Sequence, residues 1–213
     1  EVPRICYINK LDRTGASFEK SFASILDRLS TKAVRLQIPI GAEENFEAVI
    51  DVLEMKAYKF EGEMGKNVSS FEIPENMMAE AKKYHDEIVE RIVETDDKLM
   101  SDFIEGKIPP LDVLQKALRA AVCTNKIFPV LTGSSLKNKG VQRVLDAVVD
   151  YLPSPLDLPA ATGKNTDTGA EETRPALDDG PFAALVFKLQ VDPFVGALTF
   201  FRVYSGSVSA GDT

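Results

Sequence analysis

The sequence predicts an α/β fold: a doubly wound parallel sheet carrying an inserted α/β subdomain, followed by the first strands of a β-barrel. Three observations predict it. A short apolar run, a polar loop and an amphipathic helical stripe open the chain, which is half of a βαβ unit. The same strand–loop–helix pattern returns near residue 127, after about 90 residues of a different character. Beyond residue 180 the helical period disappears and strand-like runs replace it.

The elements follow in order. Residues 4–8 (RICYI) form a short apolar run, typical of a strand covered on both faces of a parallel sheet. The loop NKLDRTG ends it, and Phe18, Phe22, Ile25, Leu26 and Leu29 then recur at helical spacing. Between residues 34 and 40, Val34, Leu36, Ile38 and Ile40 alternate with Arg35, Gln37 and Pro39, as in a half-exposed strand. Residues 48–53 and 55–60 read as further strands, and Gly62 with Gly65 marks a turn. Pro74 opens one long helix striped by Met77, Ala81, Tyr84, Ile88 and Ile92, which Gly106 ends near Phe103. A second helix covers residues 111–123. Residues 127–131 are apolar, the loop GSSLKNKG follows, and Val141, Val144, Leu145, Val148, Val149 and Leu152 stripe the next helix. Residues 161–180 are rich in Gly, Thr and acids and read as a linker. Residues 182–189 and 198–204 are strand-like, and Ser205-Gly206 suits a hairpin turn into residues 207–209. The expected division is therefore 1–33 and 126–160 for the main domain, 34–125 for the insertion, 161–180 for the linker and 181–213 for the start of the barrel.

Composition narrows the function. Of 213 residues, 44% are hydrophobic and 27% charged, which suffices for a buried core. No apolar run approaches the ~20 residues that span a bilayer, so no membrane partner is expected. The net charge of −8 argues against tight nucleic-acid binding driven by charge alone. Cys6 and Cys123 have no metal-ligand spacing and read as buried free thiols, and His85 sits in a helical pattern as packing. The chain opens Glu1-Val2-Pro3 without a methionine and enters a strand at once, as if cut from something longer.

Two loops carry chemistry. In open α/β sheets, ligands bind outside the carboxyl ends of the strands, where Asn9-Lys10-Leu11-Asp12 falls. An Asp carboxylate is acceptor-only. Guanine offers it two parallel donors, N1–H and the 2-amino group, and adenine offers neither. The Lys10 stem can lie flat on a purine, and the Asn9 amide can tie the loop to its neighbours or reach the base. The second loop, Gly133-Ser134-Ser135-Leu136-Lys137, follows an equivalent strand and should open on the same edge. There the Ser135 backbone N–H could meet guanine O6. Alone, the first motif is equally a solvated turn and the second an ordinary loop ahead of a helix.

RICYINKLDRTGASF, IPIGAEENFEAVIDVLEMKAY, GSSLKNKGVQRVLDAVVDYLPSP and FKLQVDPFVGALTFFRVYSGSVSAGD resemble the elongation factor G family, in that order and at that spacing. The resemblance implies the C-terminal half of a P-loop GTPase domain, an inserted subdomain and the start of the second domain. It implies guanine binding by Asn9, Lys10 and Asp12 in one loop and by Ser134, Ser135 and Leu136 in the other. The family's second loop usually reads Ser-Ala, where this chain has Ser135. Expected cofactors are GTP or GDP, with Mg²⁺ in the intact factor. Expected partners are the ribosomal stalk protein, through the insertion, and the small ribosomal subunit, through the second domain. The implied setting is cytoplasmic: bacterial first, mitochondrial or plastid otherwise.

The chain contains no G-x-x-x-x-G-K-[ST] phosphate loop. No catalytic residue or metal ligand is therefore expected in it, and by itself it is expected not to hydrolyse GTP. Two alternatives stand beside translocation: a ribosomal protection or release-type translational GTPase, and a ribosome-docking module without a nucleotide role. The acidic run through Glu87, Glu90 and Glu94 reads either as a solvated helix face or as the docking face for the stalk protein.

Overall fold

A computed structural model describes residues 2–62 and 65–212. The chain divides into two compact units, Glu1–Leu152 and Pro153–Thr213.

The first unit is built on a parallel sheet of three strands, β1 (Cys6–Ile8), β2 (Ala33–Arg35) and β7 (Phe128–Thr132), in the order β1-β7-β2. The strands at residues 4–8 and 127–131 are thus neighbours, as their matched patterns require, with Ile8 opposite Thr132. All five residues of β7 are buried, which is why it reads as an uninterrupted apolar run. Helix α1 (Phe18–Arg28) starts at Ser17, whose hydroxyl accepts from the Lys20 N–H. Its buried Phe18 and Phe22 rings stack 6.1 Å apart, and the Arg35 guanidinium lies 3.9 Å from the Phe22 ring. Helix α5 (Val141–Tyr151) follows β7.

Between β2 and β7 runs an antiparallel sheet in the order β3 (Gln37–Ile40), β4 (Ala48–Asp51), β5 (Lys56–Glu61) and β6 (Asn67–Phe71). Helices α2 (Glu75–Val93), α3 (Asp97–Ile104) and α4 (Leu111–Cys123) complete the insertion. The antiparallel sheet and the parallel sheet share one apolar core, in which Ile50, Ile88, Leu118 and Val130 are almost fully buried.

Four expectations are corrected. Residues 34–40 are not one half-exposed strand. Leu36 separates β2 from β3, its N–H bonding to Val130 O (3.0 Å) and its carbonyl accepting from Val52 N–H (3.0 Å). The segment thereby serves both sheets and is mostly buried. The long helix is two helices, because the Asp96 carboxylate caps α3 by accepting from Lys98 and Leu99 N–H (3.0 Å each). Residues 161–180, read as a linker, hold a hairpin of β8 (Ala161–Lys164) and β9 (Glu171–Arg174). The Asn165 side chain closes its turn by accepting from Asp167 and Thr168 N–H. Residues 207–209 form no strand after β11 (Gly196–Ser205). That strand instead pairs with β10 (Ala183–Asp192) across a turn held by the Asp192 carboxylate. The turn expected at Gly62 and Gly65 spans residues 63 and 64, which lie outside the described residues. Cys6 and Cys123 are half-buried free thiols, and a His85 ring nitrogen lies 2.8 Å from Val52 O in a packing role.

A buried ionic cluster joins the insertion to α5. Arg143 reaches Asp51 (3.1 Å), Glu54 (2.7 Å) and Asp146 (3.1 Å), and its guanidinium lies 4.3 Å from the Tyr58 ring. Burial and the neighbouring Glu54 push the Asp51 carboxyl up to about 6 from its ordinary 3.8, against the pull of Arg143. Asp51 therefore holds its proton more tightly folded than unfolded, and its contribution to stability falls as pH rises from about 4 to about 6. Replacing the cation in Arg143→Leu strands two carboxylates, and we expect a loss of about 3–5 kcal/mol near pH 7. The substitution also removes an influence that lowers the Asp51 value. The deficit should therefore shrink at about pH 5, where the carboxyl takes up its proton. Urea unfolding of both proteins at the two pH values reads this, and a deficit independent of pH refutes the assignment.

Candidate functional site

The parallel pairing of β1 and β7 delivers two loops, residues 9–16 and 133–139, to one edge of the sheet. Backbone bonds lock them where they leave it. Gly133 N–H donates to Ile8 O (3.1 Å), and Leu11 N–H donates to Gly133 O (3.2 Å). Gly133 must be glycine, because a Cβ there would collide with the Lys139 carbonyl and the Tyr7 hydroxyl. Ser134 and Lys139 close the second loop with reciprocal backbone bonds (2.9 and 3.0 Å).

Side chains then tie loop to loop. Asn9 Nδ2 donates to Ser135 Oγ (2.8 Å), and Asn9 Oδ1 accepts from the Ser135 N–H (2.9 Å) and hydroxyl (3.1 Å). The Lys10 N–H also reaches Asn9 Oδ1 (2.7 Å). Of the two roles open to Asn9 from sequence, this geometry assigns the tie. Within this tie the Ser135 N–H is bonded to Asn9 Oδ1.

The remaining predicted residues fall around this tie. Asp12 is half-exposed, and a hydrogen bond from the buried Ser134 side chain is the main cause holding its carboxyl below the ordinary range. Asp12 is thus an ionised, acceptor-only group at neutral pH. Lys10 is exposed and carries a left-handed backbone (φ 65°), a conformation uncommon outside glycine. Leu136 stands exposed at the rim. The six predicted residues are therefore all on the two adjoining loops, with Asn9, Asp12, Ser134 and Ser135 linked directly. The two loops thus present a charged acceptor pair on Asp12, an exposed lysine on the same loop, and a second loop anchored to the first. Among the described residues, no group of three or more His, Cys, Asp or Glu could hold a metal ion.

Sequence reasoning missed Tyr7 and Lys139. The Tyr7 hydroxyl donates to Lys139 O (3.3 Å), and Lys139 Nζ donates to Phe46 O in the insertion (2.6 Å). Neither residue belongs to a short motif, and their roles arise only once the distant loops meet.

A parallel α/β sheet with two polar loops converging at its carboxyl edge is the arrangement in which open α/β domains bind their ligands. Residues 1–154 match the model of the elongation factor Tu GTP binding domain, and the chain belongs to that family. A crystal structure of a protein from Thermus thermophilus is similar at 28% identity with a TM-score of 0.76. The similarity covers 99% of this chain but 28% of the Thermus protein, so the chain spans little more than a quarter of that protein's length. The family implies GTP or GDP binding, with Mg²⁺ as the usual companion ion.

The Ser134–Asp12 contact is open to measurement. In Ser134→Ala the carboxyl loses the largest influence depressing it, so Asp12 should titrate at higher pH than in the wild type. Carboxyl-detected NMR across the acid range reads the midpoint. An unchanged midpoint would remove Ser134 from the Asp12 environment.

Proposed function

We propose that this chain is the guanine-recognising portion of a ribosomal translocation GTPase resembling elongation factor G. The observation that carries the proposal is the bonded loop pair: an ionised Asp12 on one loop, and Ser134 and Ser135 on the other, tied through Asn9. Asp12 accepts from guanine N1–H and the 2-amino group. The Lys10 stem covers the base, and the Leu136 rim borders it. The Ser135 N–H reaches guanine O6 by sharing or exchanging its bond to Asn9. GTP and GDP are the ligands. Mg²⁺ and the phosphates are held by parts of the intact factor that this sequence does not contain, since no phosphate loop is present. By itself the chain binds nucleotide weakly and does not turn it over. GTP turnover by the purified chain comparable to that of an intact factor would overturn this division of labour.

The proposed partners are the stalk protein, at the insertion, and the small ribosomal subunit, at the second unit, in a cytoplasmic setting. The insertion segment IPIGAEENFEAVIDVLEMKAY supports translocation over a protection or release role. On α2, Glu87 is paired with Arg35 (3.7 Å) and Lys83 (3.9 Å), and Glu94 with Arg91 (3.7 Å). Part of the acidic run thus serves the fold, which supports the solvated-face reading for those two residues.

Base recognition is tested at Asp12 in the intact protein. In Asp12→Asn one acceptor becomes an NH₂ donor, which opposes the 2-amino group of guanine and matches the 2-carbonyl of xanthine. The GDP-to-XDP affinity ratio should shift toward XDP by about 10²- to 10⁴-fold. Competition binding measures it. An unchanged ratio in a folded variant would leave Asp12 as a turn residue only.

A further inference from the structure

We propose that one 3-10 turn of the insertion, Glu43–Asn45, sets the position of both guanine loops, with Glu43 and Lys139 as positioning residues. The inference rests on the guanine-site reading above. It comes from two sets of contacts made at the two ends of one turn, by Glu43 and by the Phe46 that follows it. On the first loop, Glu43 N–H donates to Leu11 O (2.9 Å), and Gly15 N–H donates to Glu43 Oε1 (2.8 Å). These bonds grip the loop on either side of Asp12. On the second loop, Lys139 Nζ donates to Phe46 O (2.6 Å) at the end of the same turn and lies 5.8 Å from the Phe46 ring. Lys139 also closes that loop by its backbone bonds to Ser134.

The turn is built as a fixed support. Phe46 is buried to 1% exposure and anchors it in the core. Glu43 adopts a left-handed backbone (φ 54°), a conformation that costs a glutamate free energy and persists only where its surroundings impose it. Gly41 precedes the turn at φ 78°, where a Cβ would collide with the Asn45 carbonyl. The turn therefore lies tightly over its own entry, with one end on the Asp12 loop and the other on the Ser135 loop. The bond from Gly15 N–H to the Glu43 carboxylate is charge-assisted and holds the segment just after Asp12. Loss of that bond should act chiefly on the segment after Asp12. Loss of the Lys139 ammonium should act chiefly on the Ser135 loop.

Three nucleotides separate these effects in the intact protein: GDP; IDP, which lacks the 2-amino group that Asp12 reads; and 6-thio-GDP, which replaces the O6 acceptor. Glu43→Gln keeps an oxygen at the same reach. Glu43→Asn carries the same neutral charge, tolerates the left-handed backbone, and is one methylene too short to reach Gly15. We expect Glu43→Asn to lower the GDP/IDP affinity ratio about tenfold or more and to leave the GDP/6-thio-GDP ratio in place. Glu43→Gln should retain both ratios. Lys139→Met should lower the GDP/6-thio-GDP ratio by a smaller factor, about two- to threefold, because the Ser135 N–H only exchanges acceptors, and retain GDP/IDP, and it decides alone should Glu43→Asn not fold. Equal ratios for Glu43→Asn and Glu43→Gln, or for Lys139→Met and wild type, would overturn the positioning role. A wild-type protein that binds IDP as well as GDP would overturn the guanine reading itself, and this inference with it.

Discussion

The in-register parallel pairing of β1 with β7 is the constraint on which the rest depends. Ile8 and Thr132 are opposite each other although 124 residues separate them in sequence. Closing so long a loop costs chain entropy, though only slowly more with each added residue. What offsets it is β7, fully buried between β1 and β2. Pro129 within this central strand is the test of the pairing, since proline cannot donate to a ladder. The flanking Phe128 N–H bonds on the β2 side, to Lys32 O, so the Pro129 nitrogen faces β1. The β1 ladder begins one pair later, at Cys6 opposite Val130, so no bond is lost. A shift of the pairing by two residues would put the proline into the ladder and separate Asn9 from Ser135.

The insertion is structurally part of this arrangement. Its sheet continues the main sheet through Leu36, and the two share one core. The ionic cluster around Arg143 adds direction to that burial. A buried cation with two carboxylates stabilises little beyond an apolar contact of equal size, but it penalises any arrangement that separates the partners. Arg143 sits on the first turn of α5, directly after the Ser135 loop, so the cluster fixes the helix that carries that loop away from the sheet. The second unit is built differently. The hairpin β10–β11 leaves Leu185, Phe187 and Leu189 more than half exposed, and its order comes from its ladder and from the Asp192 turn.

The legible parts of the fold were those in which local pattern and burial agree. Both strand–loop–helix units show this: apolar runs too short for helices, then stripes at helical spacing, with Ser17 capping the first helix. The alternation from Val34 to Ile40 misled, because alternate polar residues suggest one exposed face. Gln37 is 1% exposed, however, and its side-chain oxygen accepts from Thr132 N–H (3.3 Å). A polar residue satisfied by the neighbouring strand is indistinguishable from a solvated one in sequence. The strand β6 was hidden for the opposite reason: all five of its residues are exposed, and its Asn and Ser give no apolar period. The break between α2 and α3 depends on the Asp96 cap, which is one acid among many in that stretch. For the site, the two loops and their common edge were readable from matched patterns. The hydrogen-bond partners were not, because Asn9, Ser135 and Lys139 acquire them across the fold.

Those partners bear on how selectivity would arise at the proposed site. The Ser135 N–H is bonded to Asn9 Oδ1, so a base oxygen that takes it exchanges one acceptor for another. Such exchanges contribute little net free energy, since the donor is satisfied before and after. Asp12 differs. Its carboxylate has two oxygens and about four acceptor positions, and the Ser134 hydroxyl occupies a minor share of them. Hydrogen bonds to a charged acceptor are worth about 1.5–3 kcal/mol each, roughly twice a neutral pair. Asp12, not Ser135, should therefore carry most of the discrimination between purines, with the second loop fixing the depth and tilt of the base. A serine, where the related loop usually has alanine, adds its hydroxyl to the tie with Asn9, and at the proposed site that added rigidity would serve Asp12.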